Sequence, residues 1–180
     1  MNYILVAYVE DKPGVLNRVA SLFRRRGYNI ESLTVGHTEN PEISRMTIVV
    51  NTDEFTVELL ETNLYKLVNV LRVENVTNKP SVVRDLALIK VSVTPENRTE
   101  VMKMAEVFRA HVVDVTNQSL MIEITGTEDK IEGMLDVLRP FGITEMVRTG
   151  IVAMTRGPVP ISPKPPMVEA EAHFNEHSQY

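Results

Sequence analysis

The 180-residue chain carries the same order of secondary-structure patterns twice, and this repeat restricts the folds that it can adopt. Each copy is predicted as strand, helix, strand, strand, helix, strand, because apolar runs alternate with segments whose apolar residues recur every three or four positions. The copies are offset by about 80 residues, which is too long for a solenoid repeat and suits two small domains. We therefore predict one domain over residues 1–77 and another over 82–156, joined at 78–81.

A βαββαβ order predicts an α+β fold of two tandem ferredoxin-like domains, each an antiparallel sheet with both helices on one face. The predicted strands cover residues 3–9, 30–35, 43–50, 70–76, 82–93, 112–115, 120–124 and 143–147. The predicted helices begin at Val15, after Thr52 or Asp53, at Thr94-Pro95 and after Thr127. Such sheets leave edges and one face uncovered, so we expect pairing between domains or subunits, and a homodimer.

Composition excludes several classes of protein. A net charge of −5 and a pI near 5.4 argue against nucleic-acid binding. The absence of cysteine removes disulfides and thiolate metal sites, and it fits a cytoplasmic protein. We expect no signal peptide or membrane span, since no apolar run reaches the required length. Five of the ten prolines follow Gly157, so residues 157–180 are predicted to be a flexible tail.

Catalytic chemistry has no clear basis in the sequence. Walker-A and Rossmann motifs are absent, and we predict neither a catalytic group nor a metal site. RNA-recognition modules share the predicted fold, but they stack bases on aromatic residues, and residues 43–50 contain none. The basic run Arg24–Arg26 suits the end of a helix, with contact to a partner as the second interpretation.

One loop does suggest a binding site. The segment Asp11–Gly14 leads directly into a helix, whose first turn has unpaired N–H groups that attract a carboxylate. Glycine at position 14 allows a ligand to approach the backbone, and Asn29 offers an amide donor and acceptor. A free amino acid would fit such groups, although a simple turn, helix cap and strand entry also explain them. The candidate residues are Asp11, Gly14, Val15, Leu16, Asn29 and Ile30.

Several segments resemble a known family. A proline-glycine loop followed by Val-Leu is typical of ACT domains, which sense amino acids, and residues 26–35 (RGYNIESLTV) resemble the small regulatory subunits of acetolactate synthase. Further similar segments lie, in order, at residues 44–48, 66–70, 89–91, 106–110, 113–115, 125–127 and 148–154. The resemblance covers residues 1 to 157 and therefore includes both predicted domains.

The resemblance implies a dimeric, non-catalytic regulator that binds a separate catalytic large subunit. It implies activation of that subunit and feedback inhibition by valine or another branched-chain amino acid. Thiamine diphosphate, FAD and Mg are expected only in the catalytic partner, and no cofactor in this chain. Effector sites in the family lie between two ACT domains, which would combine Asp11, Gly14, Val15 and Leu16 of one chain with Asn29 and Ile30 of the other. Many members have Asn where this chain has Asp11, which bears on effector orientation, affinity and valine sensitivity.

Two other functions remain open at this stage. A free-standing ACT protein would sense an amino acid but regulate another enzyme or transcription. A small enzyme such as an acylphosphatase would require a phosphate loop with a positioned arginine, whereas this loop carries Asp11.

Overall fold

Two antiparallel sheets, each with two helices packed on one face, are formed by residues 1–158, the part of the chain that the computed structural model describes. The first sheet contains β1 (Asn2–Glu10), β2 (Ile30–His37), β3 (Ile43–Asn51) and β4 (Val70–Asn75), with helices α1 (Val15–Arg26) and α2 (Glu54–Tyr65). Its strand order is β2-β3-β1-β4, so β2 is an edge strand. The predicted α+β, ferredoxin-like fold is confirmed.

The second sheet repeats this arrangement. It contains β5 (Ser81–Ser92), β6 (His111–Val115), β7 (Ser119–Gly126) and β8 (Ile143–Arg148) in the order β6-β7-β5-β8. Its helices are α3 (Arg98–Val107) and α4 (Glu128–Leu138), and a short 3-10 helix follows at Arg139–Phe141. A ninth strand, β9 (Val152–Thr155), pairs with the beginning of β5. Residues 159–180 of the predicted flexible tail lie outside the described part of the chain.

The N-terminal core forms where the strand and helix periodicities meet. Alternate residues of β1 face α1, which presents Val19 and Phe23 on its buried side. Helix α1 ends at Gly27, whose φ of 71° is left-handed, and the Gly27 and Tyr28 N–H groups donate to the last-turn carbonyls. Asp53 caps α2 by accepting a 2.8 Å hydrogen bond from the Thr56 N–H.

Two details differ from the sequence-based expectation. Helix α3 begins at Arg98 and not at Thr94-Pro95, because Asn97 precedes the helix and accepts a 2.7 Å hydrogen bond from the Thr94 N–H. Helix α4 follows Thr127 as predicted, but the Thr127 hydroxyl makes no capping hydrogen bond.

Strand β9 was not predicted, and it connects the two sheets. Residues Ser81–Arg84 of β5 pair with β9, whereas the rest of β5 pairs with β7 and β8. Ala153 of β9 is 1% exposed because it packs on Val6 and Val76, on the face of the first sheet away from the helices. The Arg45 guanidinium, also on this face, donates to the Ala153 carbonyl. The second domain therefore covers the face that a lone ferredoxin-like domain leaves open.

Within residues 1–158, no helix is both long enough and apolar enough to span a lipid bilayer.

Candidate effector site

The N-terminus of α1 is open to a ligand. Gly14 occupies the cap position with a left-handed φ of 85°, and no side chain caps the helix. The Val15 N–H donates to the Lys12 carbonyl at 3.3 Å, and the Gly14 carbonyl accepts the Arg18 N–H at 3.0 Å. A Cβ atom built on Gly14 would meet nothing within 4 Å, so space remains beside the first turn. This arrangement suits an anionic group on the helix axis.

The loop before α1 is anchored to neighbouring elements at its start. The Glu10 N–H donates to the Asn69 carbonyl at 2.9 Å, and the Asp11 N–H donates to the Glu42 carbonyl at 2.7 Å. The side chains of Asn69 and Lys12 also donate to the Glu10 carboxylate, which lowers the pKa of Glu10 below its ordinary value. These contacts fix the direction in which the loop approaches the helix.

Asp11 has two polar neighbours that sequence reasoning missed. Its carboxylate accepts a 3.3 Å hydrogen bond from the Ser44 hydroxyl and lies 3.3 Å from His37 Nδ1. The register of the β2–β3 hairpin places both residues beside the loop, since His37 of β2 pairs with Ser44 of β3. The Asp11 side chain remains 41% exposed, so the carboxylate can also contact a ligand cation.

Asn29 and Ile30 lie at the other end of the edge strand from Asp11. His37 marks the loop end of β2, whereas Ile30 begins the strand. Seven steps along a strand span about 23 Å, so a single chain does not bring Asn29 beside Gly14. The Asn29 side-chain amide donates to Glu31 Oε1 at 2.7 Å.

The apolar candidates differ in exposure. Val15 is 4% exposed and belongs to the core, which leaves only its backbone for ligand contact. Leu16 is 45% exposed beside the helix N-terminus, and Ile30 is partly buried against the core. Leu16 is therefore the candidate apolar contact on the loop side of the site.

A cavity of about 460 Å³ lies between the domains, where β2 meets the segment before β9. The Ser32 hydroxyl accepts a 3.1 Å hydrogen bond from the Ile151 N–H, and the Thr34 hydroxyl donates to the Thr149 carbonyl at 3.4 Å. Gly150 between them has a φ of 86°, and a Cβ atom there would lie 2.6 Å from the Ser32 Oγ. The second domain therefore touches the same strand that begins at Ile30, directly after Asn29.

One wall of this cavity contains a buried ion pair. Asp85, 3% exposed, accepts a 2.8 Å hydrogen bond from Arg148 Nε, and Arg148 Nη2 forms a salt bridge with the same carboxylate oxygen at 2.7 Å. The Thr149 hydroxyl donates a second hydrogen bond to Asp85 at 3.1 Å. Burial opposes ionisation of Arg148, but hydrogen bonds and charges from Asp85 and Glu132 raise the pKa of Arg148 above its ordinary value. The carboxylate is thus satisfied within the protein.

No group of three or more His, Asp or Glu side chains suitable for a metal ion occurs in residues 1–158.

Comparison with known proteins identifies the family. The model described as the AHAS (acetohydroxyacid synthase) small subunit-like ACT domain matches residues 5–72, and the one described as the small subunit of acetolactate synthase matches residues 84–157. The acetolactate synthase small subunit of Mycolicibacterium smegmatis is 49% identical over 156 residues, covering 87% of this chain and 92% of that protein. The one from Bacillus subtilis is 48% identical over 158 residues, with the same coverage.

A solved structure agrees with these sequence matches. The crystal structure of the acetolactate synthase small subunit from Thermotoga maritima superposes with a TM-score of 0.82 at 41% identity. The alignment covers 88% of this chain and 99% of that one. The chain therefore belongs to the acetolactate synthase small subunit family, and its first domain is an ACT domain.

Proposed function

We propose that this chain binds the catalytic subunit of acetolactate synthase, raises its activity and makes it sensitive to valine or another branched-chain amino acid. The chain would act without a cofactor of its own, and the chemistry would belong to the partner. The observation that carries the proposal is the uncapped N-terminus of α1 at Gly14, in a chain whose domains both match this family.

Dimerisation through β2 would complete the effector site. If β2 pairs antiparallel with β2 of a second copy, Asn29 of one chain comes to the end of the strand marked by His37 of the other. Asp11 lies beside His37 in the structure, so the loop of one chain and Asn29 of its partner would face the same space. The free edge of β2 and the 42% exposure of Val35 support this pairing.

Each part of a branched-chain amino acid has a complementary group in this site. Its carboxylate suits the first turn of α1, which offers N–H groups and positive partial charge. Its ammonium group suits the Asp11 carboxylate, and its aliphatic side chain suits Leu16 with Ile30 of the partner. Asp11 in place of the Asn that many members carry would thus favour binding of the ammonium group over a hydrogen bond to the effector carboxylate.

Inhibition requires the effector to prefer one state of the complex over another. A hundredfold preference corresponds to about 2.7 kcal/mol, which is enough to reverse a balanced equilibrium. We propose that β2 transmits this preference, because its beginning would border the effector site in such a dimer and its Ser32 and Thr34 contact residues 149–151 of the second domain.

The test is acetolactate formation by the catalytic subunit of the same organism, with and without this chain, across a valine titration. We expect the chain to raise the rate and valine to reverse the increase. Activation without valine sensitivity would retain the partner but indicate a different effector at Asp11. A complete lack of activation would contradict the proposal and favour a free-standing ACT sensor.

A further inference from the structure

Helix α1 carries an unusual concentration of positive charge in a chain whose net charge is −5. All four of its charged residues are arginines, and three of them, Arg24, Arg25 and Arg26, occupy the last turn. The fourth, Arg18, donates to the side chain of Asn69 and thus has a structural partner. The end of the helix is therefore a local basic site on an otherwise acidic protein.

Hydrogen-bond capping of the helix does not account for this cluster. The Phe23 and Arg24 carbonyls in the last turn of α1 already accept hydrogen bonds from the backbone N–H groups of Tyr28 and Gly27. In the described part of the chain, Arg26 donates to a side chain, and neither Arg24 nor Arg25 donates to a helix carbonyl. The backbone thus caps the helix without hydrogen bonds from the guanidinium groups to its carbonyls.

A cleft of about 230 Å³ lies between the end of α1 and the end of α2. It is lined by Leu22, Arg25, Arg26, Asn63, Lys66 and Leu67. Half of these residues are cations and none is acidic, while the two leucines give the cleft apolar walls. Within residues 1–158, Arg25, Arg26 and Lys66 form no ion pair.

Asn63 provides a second, independent indication that the cleft receives a ligand. Its side chain is 3% exposed, and its Oδ1 accepts hydrogen bonds from Lys66 Nζ at 3.2 Å and from Arg26 Nη2 at 3.4 Å. Its Nδ2 is buried and has no hydrogen-bond partner among the described residues. A buried donor is normally paired, so the unpaired Asn63 Nδ2 indicates a missing acceptor. Lys66 and Arg26 share one neutral oxygen, so both cations can still bind an acceptor with negative charge.

We propose that this basic cleft binds the carboxylate of an Asp or Glu side chain on the catalytic subunit; this inference rests on the proposed function. Arginine is suited to such a contact because its planar fork binds a carboxylate through two parallel hydrogen bonds. A protein side chain fits better than a free anion, since the cleft also has apolar walls, and Val68, which follows Leu67 in the chain, is 87% exposed. The cleft is formed by both helices, so docking there would leave the edge of β2 free for dimerisation.

The test measures the affinity of the full chain for the catalytic subunit at low and high salt. The double variant Arg25→Glu with Lys66→Glu should weaken binding about a hundredfold at low salt, because it replaces attraction by repulsion. The neutral variant Arg25→Gln with Lys66→Gln should weaken binding about tenfold and reduce its dependence on salt. A matched control, Arg84→Glu with Lys103→Glu, makes the same charge change on exposed residues of the second domain and should change affinity less than twofold.

The circular dichroism spectrum and the Tm of each isolated variant verify that the fold is retained. Binding of the catalytic subunit that is equal for the wild type and all variants would overturn the docking site while leaving the proposed function intact. Failure of the wild type itself to bind would overturn both. The remaining measurement is titration with inorganic phosphate or succinate. A free anion that binds the wild type but not the Glu variant, while both bind the catalytic subunit equally well, would also overturn the proposal.

Discussion

Gly14 is the residue on which the proposed effector site most directly depends. Its φ of 85° and the empty space around it leave room for a ligand carboxylate at the first turn of α1. We predict that Gly14→Asp abolishes the response to valine, because the new side chain adds a negative charge and bulk in that space. Activation of the catalytic subunit should persist. An unchanged valine titration would contradict the placement of the site.

Asn29 should contribute affinity from the partner chain. We predict that Asn29→Ala weakens valine binding by about 1–3 kcal/mol, the usual cost of leaving a buried polar group unpaired. Calorimetric titration of the isolated dimer measures this loss. Because Asn29 also donates to Glu31, the variant Glu31→Ala is the control that removes the neighbouring acceptor while retaining the amide. Equal affinity of wild type and Asn29→Ala would exclude Asn29 from the site.

Glu61 links stability to pH. Partial burial, with repulsion from Glu58 and Glu74, raises the pKa of Glu61 despite the opposing charge of Lys79. The folded state therefore holds the proton more tightly than the unfolded state, so ionisation lowers stability as pH rises through the pKa of Glu61. We predict that Glu61→Gln raises Tm at neutral pH and that the gain disappears near pH 4. Glu106→Gln, on an exposed residue, should show no such trend, and a gain independent of pH would exclude this cause.

At the scale of elements, the contact between β2 and residues 149–151 joins the two domains. Gly150→Ala would place a Cβ atom 2.6 Å from the Ser32 Oγ at a left-handed φ. Gly27→Ala is the matched control, since Gly27 has a φ of 71° but nothing lies within 4 Å of its Cβ position. Both variants should lose about 1 kcal/mol of stability through backbone strain.

Only Gly150→Ala should disturb the contact with β2. We therefore predict a further loss of unfolding free energy, measured in denaturant, and reduced maximal inhibition at saturating valine for this variant. If Gly150→Ala and Gly27→Ala behave alike in both measurements, the contact neither stabilises the protein nor transmits effector binding.

The Asp85–Arg148 pair stabilises the junction of β5 and β8. Asp85→Ala should lower the free energy of unfolding by about 3 kcal/mol, because it leaves a largely buried guanidinium with only Glu132 as an anionic partner. The exposed pair Asp136–Arg139 provides the control: Asp136→Ala should cost less than about 0.5 kcal/mol. Equal losses for the two variants would show that burial of Asp85 adds nothing.

For the whole molecule, local patterns predicted most helices and strands, and specific side-chain and strand-pairing contacts decided the ones that these patterns missed or misplaced. Apolar stripes such as Val57, Leu60 and Leu64 identified α2 because a helix buries one face. Strand β9 was not predicted because it has only four residues and pairs with Ser81–Arg84, far away in the sequence. The α3 start was misplaced since Thr94-Pro95 is a good local helix start that the Asn97 side chain overrides.

The candidate site shows the same division. The loop and Gly14 were predicted from the sequence because a left-handed backbone conformation favours glycine, and this preference can be recognised from the local sequence. Asp11, His37 and Ser44 meet only through strand pairing, so their contact required a register that local pattern does not supply. Asn29 lies at the far end of β2 from the loop, and its proposed ligand contact needs a second copy of the chain.

Mixing two variants that are each impaired in valine binding tests this shared site most directly. At a valine concentration that fills wild-type sites but not weakened ones, Gly14→Asp and Asn29→Ala would each leave both sites of their own homodimer empty. A mixed dimer would contain one doubly altered site and one unaltered site, provided that each site takes Gly14 from one chain and Asn29 from the other. After random subunit exchange, valine binding should return to about a quarter of the wild-type sites, since about half of the dimers are mixed and each carries one working site. No recovery in a sample that demonstrably contains mixed dimers would contradict an effector site shared between two chains.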